Sequence, residues 1–480
     1  MTASRFANWM DISNKKISSL HAILLSFLFA LLSIWYHHGG ILNPEMNIRL
    51  PYYLSDKPLL NKLFDIKVLD SNLYRARELS YLLDFIDSKF IEFGIRNGFP
   101  HFLSLTHYLF SVIIGCLLWQ FCVRDLKLQP LTGICWLILF WTSPSIFLGG
   151  DMFRAGKIGV ALSIAVLLPM IYKITWSSTK EKVVRFSKTF WIFLFITIFA
   201  ATLLDEQGVF LNITIIIFLG IWAYFVRNKN FNTAILICLT SLVLHLAYRF
   251  FLAPQLTFAM NGYWPDFSYQ QLSIQAFTEN AISYFSSGMF LYIETFHSLT
   301  GNPPFAAASV ILLLVIGFLI FYSRPQSNQP ADSNKFFKLA LVSTLITNLF
   351  LVIGMNAVMV YKYPPLMQPD IEIVYYCLPA NILLALTLAM AAAVFKNTKF
   401  PEWLLGIALC TAIIGNIAAL PAQKDVLAQG RLQAYYQSSP ALLNALKSPA
   451  AMENTQDPVV RANPVFKFFS GESDLGNGIK

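Results

Sequence analysis

The sequence alternates between long apolar runs and short polar connections. Each run has about 17 to 22 residues, which as a helix is long enough to cross the hydrocarbon core of a bilayer. We place eleven such runs, at 17–36, 102–123, 131–149, 158–175, 189–204, 209–226, 233–251, 304–323, 339–360, 373–394 and 403–421. The pattern therefore predicts an all-α fold, a polytopic transmembrane helical bundle of about 11 spans.

The first long polar connection, 37–101, contains a predicted amphipathic helix at 73–95. Its apolar positions follow the helical repeat and form one stripe, made of Leu79, Leu82, Leu83, Ile86, Phe90 and Phe93. Its polar positions share another side, made of Arg77, Ser80, Asp84, Asp87 and Ser88. A helix of this kind can lie along a bilayer surface.

The pattern divides the chain into a membrane domain, residues 1–421, and a polar tail, residues 422–480. Inside the membrane domain, 252–303 forms a second large polar loop that contains no Lys or Arg. Its segment Ala281–Leu299 is apolar enough to be a further span. If it crossed the membrane, however, the basic connections at 324–338 and 395–402 would lie outside. We therefore expect an interfacial or re-entrant helix there, and a tail that is either a small helical cap or partly disordered.

Composition agrees with a membrane protein and gives an orientation. The chain is 56% hydrophobic and only 13% charged, whereas a soluble domain has roughly twice that charged fraction. Lys and Arg concentrate in alternate connections, which places the N-terminus inside and the loops 37–101 and 252–303 outside. The net charge of +9 reflects this topology, and we expect no nucleic-acid partner.

Several kinds of chemistry are disfavoured by the sequence. The six cysteines all lie in apolar runs without CxxC spacing, so small core residues are expected rather than disulfides or a zinc site. The run 17–36 ends in bulky residues and is read as an uncleaved signal anchor. We find no phosphate-binding loop, zinc-protease, nucleophile-elbow or dinucleotide motif in a suitable context.

Asp84 and Asp87 are the candidate catalytic residues. A carboxylate at the boundary between water and lipid can take a proton from a hydroxyl, bind a divalent ion or hold a sugar by hydrogen bonds. The alternative is that both acids only solvate the outer face of a surface helix.

Four basic residues are candidates for binding a phosphate group. Arg75 and Arg77 precede the acids, and guanidinium groups make forked contacts with phosphate. Arg154 and Lys157 follow Gly149-Gly150-Asp151 in the second outside connection, where glycines allow close backbone approach. Equally, Arg75 can pair with Glu78, and basic residues at span ends often reach lipid headgroups without a ligand.

Asp151, after the two glycines of the second outside connection, is a candidate polar contact of the site. Two further candidates for such contacts, Asp205 and Glu206, occur in a very tight turn between two spans, Asp205-Glu206-Gln207-Gly208. They either form a polar tip or project into a cavity at the top of the bundle. His101 and His107, at the start of the second span, are expected to be interfacial residues.

With the N-terminus inside and an acid-bearing helix in a long first outside loop, the chain resembles the GT-C superfamily of integral membrane glycosyltransferases. The resemblance implies transfer of a sugar from a polyprenyl-phosphate donor to a glycan, lipid or protein acceptor outside. It implies Asp84 or Asp87 as the base, Arg77 and Arg154 on the donor phosphate, and Asp205 or Glu206 as a second polar contact.

We expect an integral protein of a bacterial inner or plasma membrane, with lipids around it and its active face outside the cytoplasm. The resemblance leaves open the sugar, the oligomeric state and whether a divalent metal takes part. Three other functions remain at this stage. These are a flippase or transporter of lipid-linked oligosaccharides, a polysaccharide polymerase, and a non-enzymatic subunit of an envelope complex.

Overall fold

The computed structural model describes residues 18–70, 74–151, 155–178, 185–226, 228–267, 378–396 and 433–472, with scattered residues in 335–346 and 409–421. This part of the chain is all-helical and contains no strands. The predicted span at 304–323, the segment Ala281–Leu299, the N-terminal residues 1–17 and Arg154 lie outside the described residues.

The helices up to residue 147 are α1 (Ser19–His37), α2 (Pro44–Leu54), α3 (Leu59–Leu63), α4 (Ile66–Asp70), α5 (Glu78–Arg96), α6 (Leu105–Gln120), α7 (Pro130–Thr142) and α8 (Pro144–Phe147). They are followed by α9 (Ala155–Ser178), α10 (Lys188–Leu204), α11 (Glu206–Phe225), α12 (Lys229–Ala247), α13 (Ala253–Asn261) and α14 (Leu378–Lys396). The tail contains α15 (Gln433–Ala445), α16 (Pro449–Asn454), α17 (Pro458–Ala462) and α18 (Pro464–Ser470). Two π-helical turns, Phe121–Asp125 and Tyr248–Leu252, extend α6 and α12.

Five helices of the described part are long and apolar enough to cross a membrane. They are α1, α6 with its π-helical turn, α9, α11, and α12 together with α13. The helices α7 and α10 are apolar but shorter. The prediction of a helical membrane protein is thus confirmed at this level, while the number eleven and the orientation stay predictions.

Local sequence explains where these helices begin. Ser104 accepts a hydrogen bond from the backbone N–H of His107 at 3.2 Å and caps α6, and Ser187 caps α10 in the same way. Pro130 opens α7, at a position where a missing backbone N–H costs nothing. Such caps satisfy amide groups that have no partner inside the helix.

The polar segments gather at one end of the bundle. We call this the loop end, formed by residues 38–70, 74–104, 143–151, Asp205, 253–267 and 433–472. Its parts are joined by long-range hydrogen bonds: Leu42 N–H to Ser439 Oγ at 2.9 Å, and Asn61 Nδ2 to the Met260 carbonyl at 2.7 Å. A hydrophobic cluster separate from that of the membrane helices contains Leu42, Met46, Leu50, Leu446 and Phe466, among others.

Three predicted boundaries were wrong, and each has a local reason. The loop helix begins at Glu78 rather than residue 73, after a left-handed residue, Ala76, with φ of 53°. The span predicted at 131–149 is interrupted after Thr142, where Ser143 is extended before Pro144. The turn predicted at Asp205–Gly208 consists of Asp205 alone, because α11 already begins at Glu206.

Candidate functional site

Helix α5 turns its polar side into the protein. Asp84 is 1% exposed and Asp87 is fully buried, whereas Phe93 on the opposite side is 65% exposed. The side with the carboxylates packs on α9, a candidate membrane span, and on the shorter apolar helix α10. The acids therefore do not solvate an outer face, which was the alternative reading of their pattern.

Close contact between these helices depends on Gly156 in the first turn of α9. A Cβ at this position would lie 2.5 Å from the Leu204 carbonyl oxygen and 2.8 Å from Ser80 Oγ. Glycine thus lets α9 approach both α10 and α5, and this approach brings the start of α9 next to Asp84.

Asp84 lies between the N-terminus of α9 and a buried arginine. Its Oδ1 accepts a hydrogen bond from the Ala155 backbone N–H at 3.0 Å, and its Oδ2 is 3.6 Å from Arg49. Burial raises the pKa of Asp84 to about 7, against the opposing effects of Arg49 and of the Ala155 N–H. Asp84 is therefore near the midpoint of its titration at neutral pH.

Arg49 is a site residue that the sequence analysis missed. It lies on α2, is 6% exposed and also contacts Glu45 at 3.3 Å and the Leu69 carbonyl oxygen. The signal that could have found α2 is Asn43-Pro44-Glu45, a cap followed by a proline and an acid. That signal predicts the helix, but it does not predict that Arg49 reaches Asp84.

Asp87 binds the start of α6. Its carboxylate accepts hydrogen bonds from Ser104 Oγ at 2.5 Å, from Thr106 Oγ1 at 2.7 Å and from the Thr106 backbone N–H at 2.8 Å. Burial raises the pKa of Asp87 to about 6, although these donors favour the ionised form. Both oxygens of Asp87 are therefore engaged in holding α6 against α5.

Asp205 binds the start of α11 and two cations. It accepts hydrogen bonds from the Gln207 backbone N–H at 3.1 Å and from Lys157 Nζ at 2.6 Å, and its other oxygen is 3.5 Å from Arg77. Burial alone would raise the pKa of Asp205, but Lys157 and Arg77 outweigh it and hold that pKa well below its usual range. This cluster joins α5, α9 and α10.

The three buried aspartates thus share one arrangement. Each accepts a backbone N–H at the start of a different membrane helix, where the helix dipole favours negative charge: Asp84 at α9, Asp87 at α6 and Asp205 at α11. The three carboxylates differ in whether an oxygen is left without a hydrogen bond. Among the three, only Asp84 keeps an oxygen, Oδ2, without a hydrogen-bond partner in the described part of the chain.

The structure brings together some of the predicted site residues and places others elsewhere. Arg77, Lys157 and Asp205 meet, and Asp84 and Asp87 lie one turn apart on α5. Glu206 instead pairs with Arg249 at 3.6 Å, on the side of α12.

Of the other predicted site residues, the structure describes Arg75 and the backbone of Asp151, but not Arg154. Arg75 is buried just before α5. Asp151 ends a 3₁₀ turn, Gly149–Asp151, and its side chain lies outside what is described, as does the whole of Arg154.

The glycines before Asp151 have a packing role. A Cβ at Gly150 would lie 2.0 Å from Tyr108 Oη, and one at Gly149 would lie 2.5 Å from the ring of His107. His107 in turn donates a hydrogen bond to the Ile146 carbonyl at 2.8 Å. His101 packs against Phe90, with ring centroids 4.7 Å apart.

Comparison of the chain with known protein families, with curated proteins and with solved structures finds no match. The resemblance to GT-C glycosyltransferases therefore stays a prediction. Among the described residues, no group of three or more His, Cys, Asp or Glu side chains is placed to hold a metal ion.

Proposed function

We propose that the protein is a membrane glycosyltransferase that moves a sugar from a polyprenyl-phosphate donor to an acceptor hydroxyl on the outer side of the membrane. Asp84 is the general base of this proposal. Arg75, Arg77, Arg154 and Lys157 supply the positive charge that faces the donor phosphate, and Asp87 positions α5.

The Oδ2 of Asp84 has no hydrogen-bond partner among the described residues and only Arg49 beside it, at 3.6 Å, and this is the observation that supports the assignment best. A general base works best when its pKa is close to the operating pH and when one oxygen is available to a substrate proton. Asp84 meets the first requirement, and it meets the second once Arg49 moves away. The hydrogen bonds of Asp87 and the cations around Asp205 occupy those carboxylates.

The proposed reaction is a direct displacement. The acceptor hydroxyl oxygen attacks the anomeric carbon, its proton passes to Asp84 Oδ2, and the bond between that carbon and the phosphate oxygen breaks. The polyprenyl phosphate leaves with the bonding electron pair, and nearby cations stabilise its charge. Asp84 then returns the proton to water.

Substrate binding requires movement at the loop end, because Asp84 is 1% exposed. Arg49 and α2 lie on its Oδ2 side. The proposal therefore includes displacement of α2 from α5 when the acceptor binds, which frees Asp84 from Arg49.

The test uses cells in which the gene is deleted and then restored as wild type, Asp84→Asn or Asp56→Asn. Asp56 is an exposed aspartate in the same loop and serves as the matched control. Lipid-linked sugars and surface glycans are measured by mass spectrometry. We expect deletion and Asp84→Asn to lower the glycan product by about a hundredfold or more and to accumulate the lipid-linked donor.

Asp56→Asn should restore the wild-type glycan profile. Asparagine at position 84 keeps an oxygen for the Ala155 N–H, so the variant should insert and elute like wild type. An unchanged glycan profile after deletion, or full activity of Asp84→Asn, would refute the proposal. Tolerance of Asp84→Asn together with a deletion phenotype would favour a transporter.

A further inference from the structure

A histidine lies buried inside one of the candidate membrane spans. His245, on α12, is 1% exposed, and neither of its ring nitrogens has a hydrogen-bond partner within the described residues. A neutral imidazole carries one donor and one acceptor. Leaving both without a partner in a low-dielectric interior carries a large free-energy penalty.

Two more polar groups without a hydrogen-bond partner lie where α11 contacts α12. Ser241 is one turn before His245 on α12, is fully buried, and its Oγ has no partner in the part of the chain described. Asn212 on α11 donates its Nδ2 to the Cys238 carbonyl at 3.1 Å, which places it opposite this stretch of α12. Its Oδ1, also buried, remains unpaired there.

Other hydroxyls on α12 do not behave like Ser241. Thr233 and Thr240, which are exposed, each donate to the carbonyl one turn earlier, at 3.1 Å and 2.8 Å. Such a bond within the helix satisfies a hydroxyl that has no other partner. Ser241 does not make it, although it lies on the same helix.

One end of this contact reaches the loop end of the bundle. Glu206 and Arg249 form an ion pair there at 3.6 Å, and both side chains are partly exposed. They are also the charged groups that act on His245. Polar groups are thus present from the partly exposed pair Glu206–Arg249 to the buried His245 in the contact between α11 and α12.

We propose that Asn212, Ser241 and His245 form a polar seam between α11 and α12 that binds water inside the membrane region. The seam offers donors from the imidazole and the hydroxyl and acceptors from the imidazole, the hydroxyl and the amide. A buried water needs two to four such partners. The proposal is independent of the transferase function.

The test is solid-state NMR of the full chain, labelled with ¹⁵N-histidine and reconstituted in lipid bilayers. Magnetisation is transferred from water protons to the histidine ring nitrogens. The His245 signal is assigned by its loss in His245→Gln, and the exposed His38 serves as the reference for contact with water. We expect the His245 signal to build up from water at a rate close to that of His38.

Ser241→Val keeps the histidine but removes one water partner and fills space, so it should slow this build-up several-fold. The His38 signal should not change in that variant. If His245→Gln does not fold, removing the remaining histidines one at a time assigns the signal by exclusion. A His245 signal that receives no magnetisation from water would overturn the proposal, because the seam would then be dry.

Discussion

Asp84, Asp87 and Asp205 carry the same side chain, but their surroundings favour different forms of the carboxyl group. Burial raises the pKa of Asp84 to about 7 and that of Asp87 to about 6, while Lys157 and Arg77 keep the pKa of Asp205 low. A carboxyl with a raised pKa stabilises the fold below its unfolded pKa and loses that contribution as pH rises towards 7. The pKa of Asp205 is lowered instead, so its contribution to the stability of the fold is present at neutral pH and is lost on acidification.

The raised pKa of Asp84 predicts a pH dependence of sugar transfer. A base acts in its ionised form, so kcat/KM should rise with pH to a plateau, with a midpoint near 7. Removing the positive charge in Arg49→Met should move this midpoint to higher pH, because Arg49 favours the ionised form of Asp84. Initial rates measured over a pH series check both expectations.

The exposed arginine variant Arg461→Met is the control for that measurement, and its midpoint should equal that of wild type. A profile that is flat through neutral pH would contradict Asp84 as the base. So would a midpoint that stays in place in Arg49→Met while the rate alone falls.

The Asp205 cluster is predicted to stabilise the junction of α5, α9 and α10. Asp205→Asn leaves Lys157 and Arg77 buried without their carboxylate and should cost about 3–5 kcal/mol of unfolding free energy. The double variant Asp205→Asn with Lys157→Met should lose less than the sum of the single changes. Unfolding in detergent measures these energies, and additive losses would show that the two residues do not interact.

At the scale of elements, the sequence predicted which segments are helices better than it predicted how they face one another. The apolar runs gave α1, α6, α9 and α11 to within a few residues, because length and hydropathy are properties of each run alone. The two faces of α5 were also evident. Which face turns inward was not evident, since it depends on two helix starts elsewhere in the chain, those of α6 and α9, whose backbone N–H groups need acceptors.

The role of Arg49 could not be read from the sequence for a related reason. It is one of many basic residues in a polar loop, and only the packing of α2 on α5 brings it to Asp84. Ser104, which caps α6, and Thr106 in its first turn were likewise predictable as helix-start residues but not as hydrogen-bond donors to Asp87.

Because α9 contacts α5 and α10 closely at Gly156, adding a single methyl group there is predicted to lower stability and activity. Gly156→Ala places a Cβ 2.5 Å from the Leu204 carbonyl oxygen, so α9 and α10 must separate. We expect a loss of about 1–3 kcal/mol in unfolding free energy and lower sugar transfer, since Ala155 moves away from Asp84. Thermal unfolding and transfer assays in detergent measure the two effects.

Gly220→Ala on α11 is the matched control. A Cβ there meets nothing within 4 Å, and alanine favours a helix over glycine, so stability should be equal or slightly higher. Equal melting temperatures for Gly156→Ala and wild type would show that the helices do not touch at this point.

At the scale of the whole molecule, two hydrophobic clusters divide the described chain. The larger cluster lies among the membrane helices, and the smaller one lies at the loop end, where the tail helix α18 packs on α2. The tail is thus a folded part of the loop end in residues 433–472. The residues that position Asp84 therefore depend on the last part of the chain.

This dependence predicts that a substitution in the hydrophobic core of the tail destabilises the first loop, which positions Asp84, although the substituted residue lies far from it. Leu446→Ala removes a fully buried side chain and should cost about 2–5 kcal/mol locally. Protease cleavage within 38–104 should become faster, and sugar transfer should fall although no site residue has changed. Limited proteolysis followed by mass spectrometry of the fragments measures the first effect.

Val459→Ala, at a tail position that is 65% exposed, should leave the cleavage rate within a factor of about two. Equal cleavage of the Leu446→Ala protein and wild type would indicate that the tail does not support the first loop.

The hydrogen bond between Leu42 and Ser439 joins residues 397 positions apart. During synthesis, α2 leaves the ribosome long before the tail helix α18, which packs on it, so this side of α2 stays uncovered until the tail is made. A nascent chain arrested before residue 433 would therefore lack the acceptor of the Leu42 N–H, and the packing of its first loop would be incomplete.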